Sequence, residues 1–175
     1  MEKSYILNIF NNKQFIIMKK YLIIFVLALC AAVQSNAQAT WNVRAGGGLV
    51  GIINWYYDDV KFGPMFSIES NIPFSRISKW CISPSAIWSC DTFDGSGYVI
   101  FPIHFGYKIP VGSSSLLIPK VGPFVGYGGH TEASLFGPSV ELAYEHNHFI
   151  AALNASLNVI DAKVPYVFLS FGYKF

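Results

Sequence analysis

Residues 164–175, VPYVFLSFGYKF, constrain the fold of this chain more than any other stretch. From Val167 onward one parity is wholly apolar, with Val167, Leu169, Phe171, Tyr173 and Phe175. The other parity mixes Tyr166, Phe168, Ser170, Gly172 and Lys174. Successive side chains leave opposite faces of a pleated strand, so this period of two predicts a β-strand with one apolar and one mixed face. The apolar face runs to the last residue of the chain and needs an apolar environment along its whole length.

The same unit recurs upstream: about ten alternating residues, then a break rich in Gly, Pro, Ser, Asn or Asp. Strands are predicted at 40–52, 62–72, 79–89, 98–109, 116–128, 136–145 and 149–160, which with the terminal strand makes eight. Pro64, Pro84, Pro102, Pro119 and Pro123 fall inside these strands. Proline cannot donate to a ladder, so irregularity and bulges are expected there. Only 13% of residues are charged and 53% are hydrophobic, against roughly a quarter charged in soluble domains. Beyond the amino-terminal region, no apolar run approaches the ~18 residues of a membrane helix. Apolar residues spread over every second position suit a membrane barrel instead. The fold class expected is all-β: an eight-stranded antiparallel up-and-down transmembrane β-barrel.

The amino-terminal region reads as a leader. Met18-Lys19-Lys20 precedes an apolar run over 21–33 and then Ser35-Asn36-Ala37. A basic start, a short apolar core and a small residue at the cut describe a secretory signal peptide, with cleavage expected between Ala37 and Gln38. The expected organisation is therefore an upstream extension at 1–17, with Met18 the true initiator, a signal peptide at 18–37 and the barrel domain at 38–175. Cys30 follows Leu29 where a lipoprotein signal wants a small residue, which disfavours lipidation. Without the leader, 8 cations face 9 anions, so the formal charge of +2 for the whole chain becomes −1. The basic balance belongs to the leader and gives no support for nucleic-acid binding. Cys81 and Cys90 lie roughly 30 Å apart on one strand at ~3.3 Å per residue. They cannot bridge each other.

The run YVIFPIHFGYKIPVGSSSLLIPKVGPFVGYGG over 98–129 resembles the central hairpin of the PorT-like outer-membrane barrels common in the Bacteroidetes. Phe101-Pro102-Ile103 and Gly122-Pro123-Phe124-Val125-Gly126 hold the matching places, and the ending Phe171-Gly172-Tyr173-Lys174-Phe175 matches too. The resemblance implies an outer-membrane location, both termini in the periplasm, and partners that include outer-membrane lipid, lipopolysaccharide and the barrel-insertion machinery. That machinery would read Phe171, Tyr173 and Phe175 as an insertion signal. Most members have no established activity, so the resemblance implies no enzyme and no cofactor.

Charge parity separates a membrane barrel from a soluble one. Arg44, Glu69, His104, Lys108, Lys120, Glu141, Glu145 and Lys174 all fall on the less apolar parity of their strands. The opposite parity is too bulky for all of it to fill a narrow interior, so it faces lipid and the charges face the lumen. The expectation is a mixed-sign cluster in the periplasmic half, with Lys174 near Arg44 and Glu69. Above it lies a small, apolar upper half around Gly46, Gly48, Met65, Ile100, Phe124 and Gly126. Buried charges persist when partnered, so the cluster reads as a plug in preference to a selectivity ring or proton relay.

Other chemistry is sparse. His130-Thr131-Glu132-Ala133-Ser134 offers a histidine and a serine for acyl transfer without a third orienting group. His146-Asn147-His148 offers two imidazoles without further metal ligands. Trp55-Tyr56-Tyr57 suits an aromatic girdle or a carbohydrate or protein contact. The function expected is a non-enzymatic structural or interaction module serving secretion or surface assembly, with an envelope protein as partner. The alternatives are transport of a small solute or lipophilic ligand and, behind it, an outer-membrane lipid hydrolase or acyltransferase.

Overall fold

The structure, a computed structural model, describes residues 39–51, 60–90, 97–128, 133–160 and 164–175. The expected cut between Ala37 and Gln38 lies outside them, as do Trp55-Tyr56-Tyr57, His130 and Glu132.

Eight long strands form: β1 (Thr40–Gly51), β2 (Val60–Pro73), β3 (Trp80–Cys90), β4 (Gly97–Tyr107), β5 (Ser115–Gly128), β6 (Ala133–His146), β7 (Phe149–Asn158) and β8 (Val164–Lys174). Their bounds fall within three residues of those read from the alternation. Lys108 interrupts β4, after which Ile109 and Pro110 continue the pairing against Leu117 and Leu116. The tight turn from β6 to β7 works because Asn147 takes φ 54°, a left-handed conformation that Asn adopts at low cost.

Each strand pairs antiparallel with its sequence neighbours, and β8 pairs with β1 from Asn42↔Lys174 to Val50↔Tyr166. The sheet is therefore a closed up-and-down barrel. Phe175 finishes the seam: its N–H donates to Trp41 O at 2.8 Å, and the Trp41 N–H donates back at 3.4 Å. Moving partner to partner, the register runs Pro73, Cys81, Gly106, Lys120, Glu141, Asn154, Phe168, Gly48 and back to β2 at Gly63. The ring thus closes with a stagger of ten residues, which goes with the ~35–45° strand tilt of small barrels.

The prolines behave differently from one another. The β3–β4 ladder misses rungs between Pro84↔Ile103 and Ile87↔Ile100, where Pro84 and Pro102 stand. The β4–β5 ladder misses them between Pro102↔Phe124 and Phe105↔Val121, beside Pro123. Register is unchanged across each gap, so proline removes a hydrogen bond without inserting a residue, and no bulge forms there. Pro119 pairs with Leu142 on its β6 side, but the β4–β5 ladder lapses between Gly106↔Lys120 and Ile109↔Leu117, where Pro119 stands. Pro64 pairs with Gly47 and lies just past the last β2–β3 rung at Met65↔Ser89.

Alternation places apolar residues outside and polar ones inside. Phe66, Trp88, Val121, Val140, Leu153 and Leu169 are all exposed on the outer face. So continuous an apolar belt is foreign to a monomeric soluble surface and normal for a transmembrane barrel. Inside, Asn42, Arg44, Glu69, His104, Glu141 and Asn154 are buried. The side chains fill the lumen in layers: an apolar cluster toward the loop end, a charged layer, and a second apolar cluster toward the end bearing the carboxy-terminus.

Candidate functional site

Four inward charges from four strands form a closed ring. Arg44 on β1 places Nη2 at 3.2 Å from Glu69 Oε2 of β2 and 3.0 Å from Glu141 Oε2 of β6. Lys120 on β5 places Nζ at 2.6 Å from Glu69 Oε1 and 2.9 Å from Glu141 Oε1. The signs alternate around the ring and cancel. Period two brought each residue inward. The ten-residue stagger then brought β1 and β2 to face β5 and β6 at this height, so two bonds run along adjacent strands and two cross the lumen. All four side chains are at most 1% exposed.

Neutral groups complete the layer. Asn42 Nδ2 donates to Glu69 Oε1 at 3.1 Å, and Arg44 Nε donates to Ser67 Oγ at 3.2 Å. His104 Nε2 meets Ser139 Oγ at 2.9 Å, and Ser156 Oγ donates to the same Ser139 oxygen at 2.8 Å. Asn42, Ser67, Ser139, Asn154 and Ser156 were not singled out from the sequence, although their inward parity was visible there. Short uncharged side chains carry no signal of their own until a charged partner is located.

Of the eight charges expected in the lumen, the structure joins Arg44, Glu69, Lys120 and Glu141, with His104 beside them. Glu145 and Lys174 form a separate pair, Lys174 Nζ to Glu145 Oε2 at 2.7 Å. Lys174 was expected near Arg44 and Glu69. Its backbone does pair with Asn42 of the charged layer, but its ammonium turns to Glu145, which a second apolar layer of Cys81, Ile118, Ala143, Ile150 and Ala152 separates from Glu141. On β6 the inward sequence Glu141, Ala143, Glu145 crosses that layer directly. Lys108 is half-buried where β4 breaks, and among the described residues no ion pair reaches it.

The upper lumen differs from expectation in bulk. Met65, Ile100 and Phe124 are there, but Ile87, Leu135, Tyr166 and Phe168 join them. Gly48 makes this fit, since a Cβ on it would stand 2.0 Å from Phe168 Cδ1. Gly126 likewise makes room for a neighbouring inward side chain, since a Cβ on it would stand 2.7 Å from Ile100 Cγ2.

Glu69, His104 and Glu141 could each offer a metal one ligand atom, and these atoms lie within 4.8 Å of one another. All four carboxylate oxygens already accept hydrogen bonds from Arg44 or Lys120. A divalent cation would have to displace two buried cations, so the chemistry of the layer is that of a neutral internal cross-link. His146 and His148 do not converge either. His146 Nδ1 meets Ser115 Oγ at 2.8 Å, while His148 stacks on Tyr173 at 5.3 Å between centroids and 7° between planes. At the carboxy-terminus, Phe171, Tyr173 and Phe175 all face outward, with Tyr173 and Phe175 in edge contact at 5.0 Å.

No protein-family model matches the sequence, and no curated protein matches it. Solved structures share its fold. Ail, the attachment invasion locus protein of Yersinia pestis, superposes with a TM-score of 0.51 at 13% identity over 78% of this chain and 97% of that one. Its complex with the heparin analogue sucrose octasulfate gives 0.50 at 14% identity over 78% and 97%. Neisserial surface protein A gives 0.57 at 10% identity over 78% and 95%. These likenesses are of fold: an eight-stranded antiparallel β-barrel of the outer-membrane type.

Proposed function

We propose that the chain is an integral outer-membrane barrel, exported through its leader, that works as a plugged, non-enzymatic structural or interaction module. The observation that carries this reading is the filled lumen. A neutral ring of four buried charges is sealed between two apolar clusters, inside a wall whose outer face is apolar. Among the described residues, side chains meet across the lumen at all three levels, which argues against a water path or a pocket for a lipophilic ligand and makes transport the weaker alternative. The histidine–serine contact of His104 with Ser139 is fully buried and has no route for a lipid substrate, which argues against a hydrolase or acyltransferase there.

Interaction then falls to the connections at the loop end, whose partners would be envelope proteins. The segments joining β1 to β2, β3 to β4, β5 to β6 and β7 to β8 carry Asp58, Asp59, Asp91, Asp94, Glu132 and Asp161 against Lys163. One fold neighbour is named for attachment and is seen with a sulfated heparin analogue. The acidic balance here opposes a polyanion and favours a basic partner or divalent cations shared with lipopolysaccharide. The finer assignment to the PorT-like barrels, and with it a part in secretion or surface assembly, rests on the 98–129 hairpin and the aromatic ending. Single-channel recording of the refolded chain tests the plug: no sustained conductance steps are expected, and stable steps would overturn it. Heat-modifiable gel migration in outer-membrane fractions tests the location, which a soluble periplasmic product would sink.

A further inference from the structure

Where β3 pairs with β4, the end of the barrel bearing the carboxy-terminus carries large apolar side chains beyond the outer belt. Phe74 and Ile77 in the β2–β3 turn are 60% and 94% exposed. The turn is fixed: the Phe74 N–H donates to Trp80 O at 3.2 Å, the Ser78 N–H to Ser75 O at 3.1 Å, and the Trp80 N–H to Ser78 Oγ at 3.0 Å. Outward presentation of Ile77 is therefore built into the hairpin. Arg76 and Lys79, both exposed, alternate with these apolar residues. The Lys108 N–H donates to Lys79 O at 2.8 Å, which brings a third cationic residue to the same flank. Among the described residues, no carboxylate pairs with Arg76, Lys79 or Lys108.

The opposite flank of the same end is different in kind, since its charges are paired in Glu145–Lys174 and its histidines are bonded or stacked. Depth is marked by Trp80 and Tyr107, in edge-to-face contact at 4.8 Å and 62°. Such rings sit at headgroup level. Residues 74–79 adjoin Trp80 in sequence, so they emerge where acyl chains give way to phosphates.

We infer that this flank is a docking surface for the phosphate headgroups of anionic phospholipid. Phe74 and Ile77 enter the acyl boundary, and Arg76 and Lys79 take the phosphates. Apolar insertion combined with unpaired cations is the chemistry of interfacial anchoring. A soluble anion would satisfy the cations but leave Phe74 and Ile77 in water, so the lipid is the occupant that answers both. The inference rests on the outer-membrane reading and adds a lipid class and a site to it.

The test uses the chain refolded in phosphatidylcholine bilayers with spin-labelled phosphatidylglycerol or phosphatidylcholine as probe. The protein-associated fraction should favour phosphatidylglycerol by roughly fivefold for each cation engaged. The preference should shrink in 1 M salt, where screening reaches ~3 Å. It should fall to near unity in Arg76→Gln/Lys79→Gln/Lys108→Gln and invert in Arg76→Glu/Lys79→Glu/Lys108→Gln. A ratio near unity in the unaltered chain, or one unchanged in both variants, would overturn the inference. Heat-modifiable migration is measured on every sample. A barrel that forms without lipid preference defeats this inference alone, whereas a chain that forms no barrel defeats the membrane reading beneath it.

Discussion

Lys120 Nζ lies 2.6 Å from Glu69 Oε1 although β5 and β2 do not pair with each other. The contact crosses the lumen, as does that of Arg44 with Glu141 at 3.0 Å. Backbone ladders tie each strand only to its neighbours. The ring ties β1 and β2 to β5 and β6, so it resists flattening of the barrel, which the ladders alone permit. Desolvation of four charges is expensive and is offset only because every carboxylate oxygen is met. Removing any single member is therefore a different event from removing a surface ion pair.

Lys120→Met should destabilise the folded barrel by about 3–5 kcal/mol, because Glu69 and Glu141 are then left with one cation between them. Adding Glu69→Gln to that variant should recover part of the loss, leaving one cation against one carboxylate. Urea titration of the refolded variants, read by heat-modifiable migration, gives both numbers. Additive losses would show that the four groups do not act as a ring.

The upper lumen makes a complementary prediction. Gly48→Val places methyl groups where Phe168 lies and should cost about 1–3 kcal/mol through overpacking. Phe168→Ala alone opens a cavity at about 3–5 kcal/mol. The double variant should be less destabilised than the sum of the two, a coupling that a double-mutant cycle reads directly.

Strand positions and facing were legible because period two is a local property: each of β1 to β8 announces its inward and outward sets within ten or so residues. Pairing across the lumen was not, because it depends on the stagger accumulated around the whole ring. Lys174 shows the difference. Its inward parity and its place near the ring, paired with Asn42, were readable, yet its ion-pair partner Glu145 was not, since that depends on how the closed register displaces β6 against β8. Phe168 teaches the same lesson. An inward Phe and an inward Gly each read as unremarkable until Gly48↔Phe168 emerges as a cross-strand pair.

The outer face should reject charge by depth. Leu169→Arg, on an exposed outward position of β8, should lose about 2–4 kcal/mol of bilayer stability if it lies near the midplane. Ser170→Ala, one residue on and facing the lumen, should change stability far less. Equal sensitivity of the two positions in bilayer unfolding titrations would count against lipid facing Leu169.

The carboxy-terminal residue separates assembly from stability. Phe175 is 71% exposed, so its ring adds little to internal packing, but its backbone pairs with Trp41 at the seam where β8 meets β1. Phe175→Ala keeps that backbone pairing and removes only the ring. If the ring serves recognition during insertion, this variant should fold in bare bilayers with nearly unaltered yield and midpoint, yet accumulate poorly in the outer membrane of cells. Deletion of Phe175 removes the backbone pairing as well and should lower both quantities. Comparing folded yield in vesicles with folded yield in cells, for the same two variants, distinguishes the roles. A Phe175→Ala chain that assembles normally in cells would refute a recognition role and leave Phe175 as the last rung of the seam.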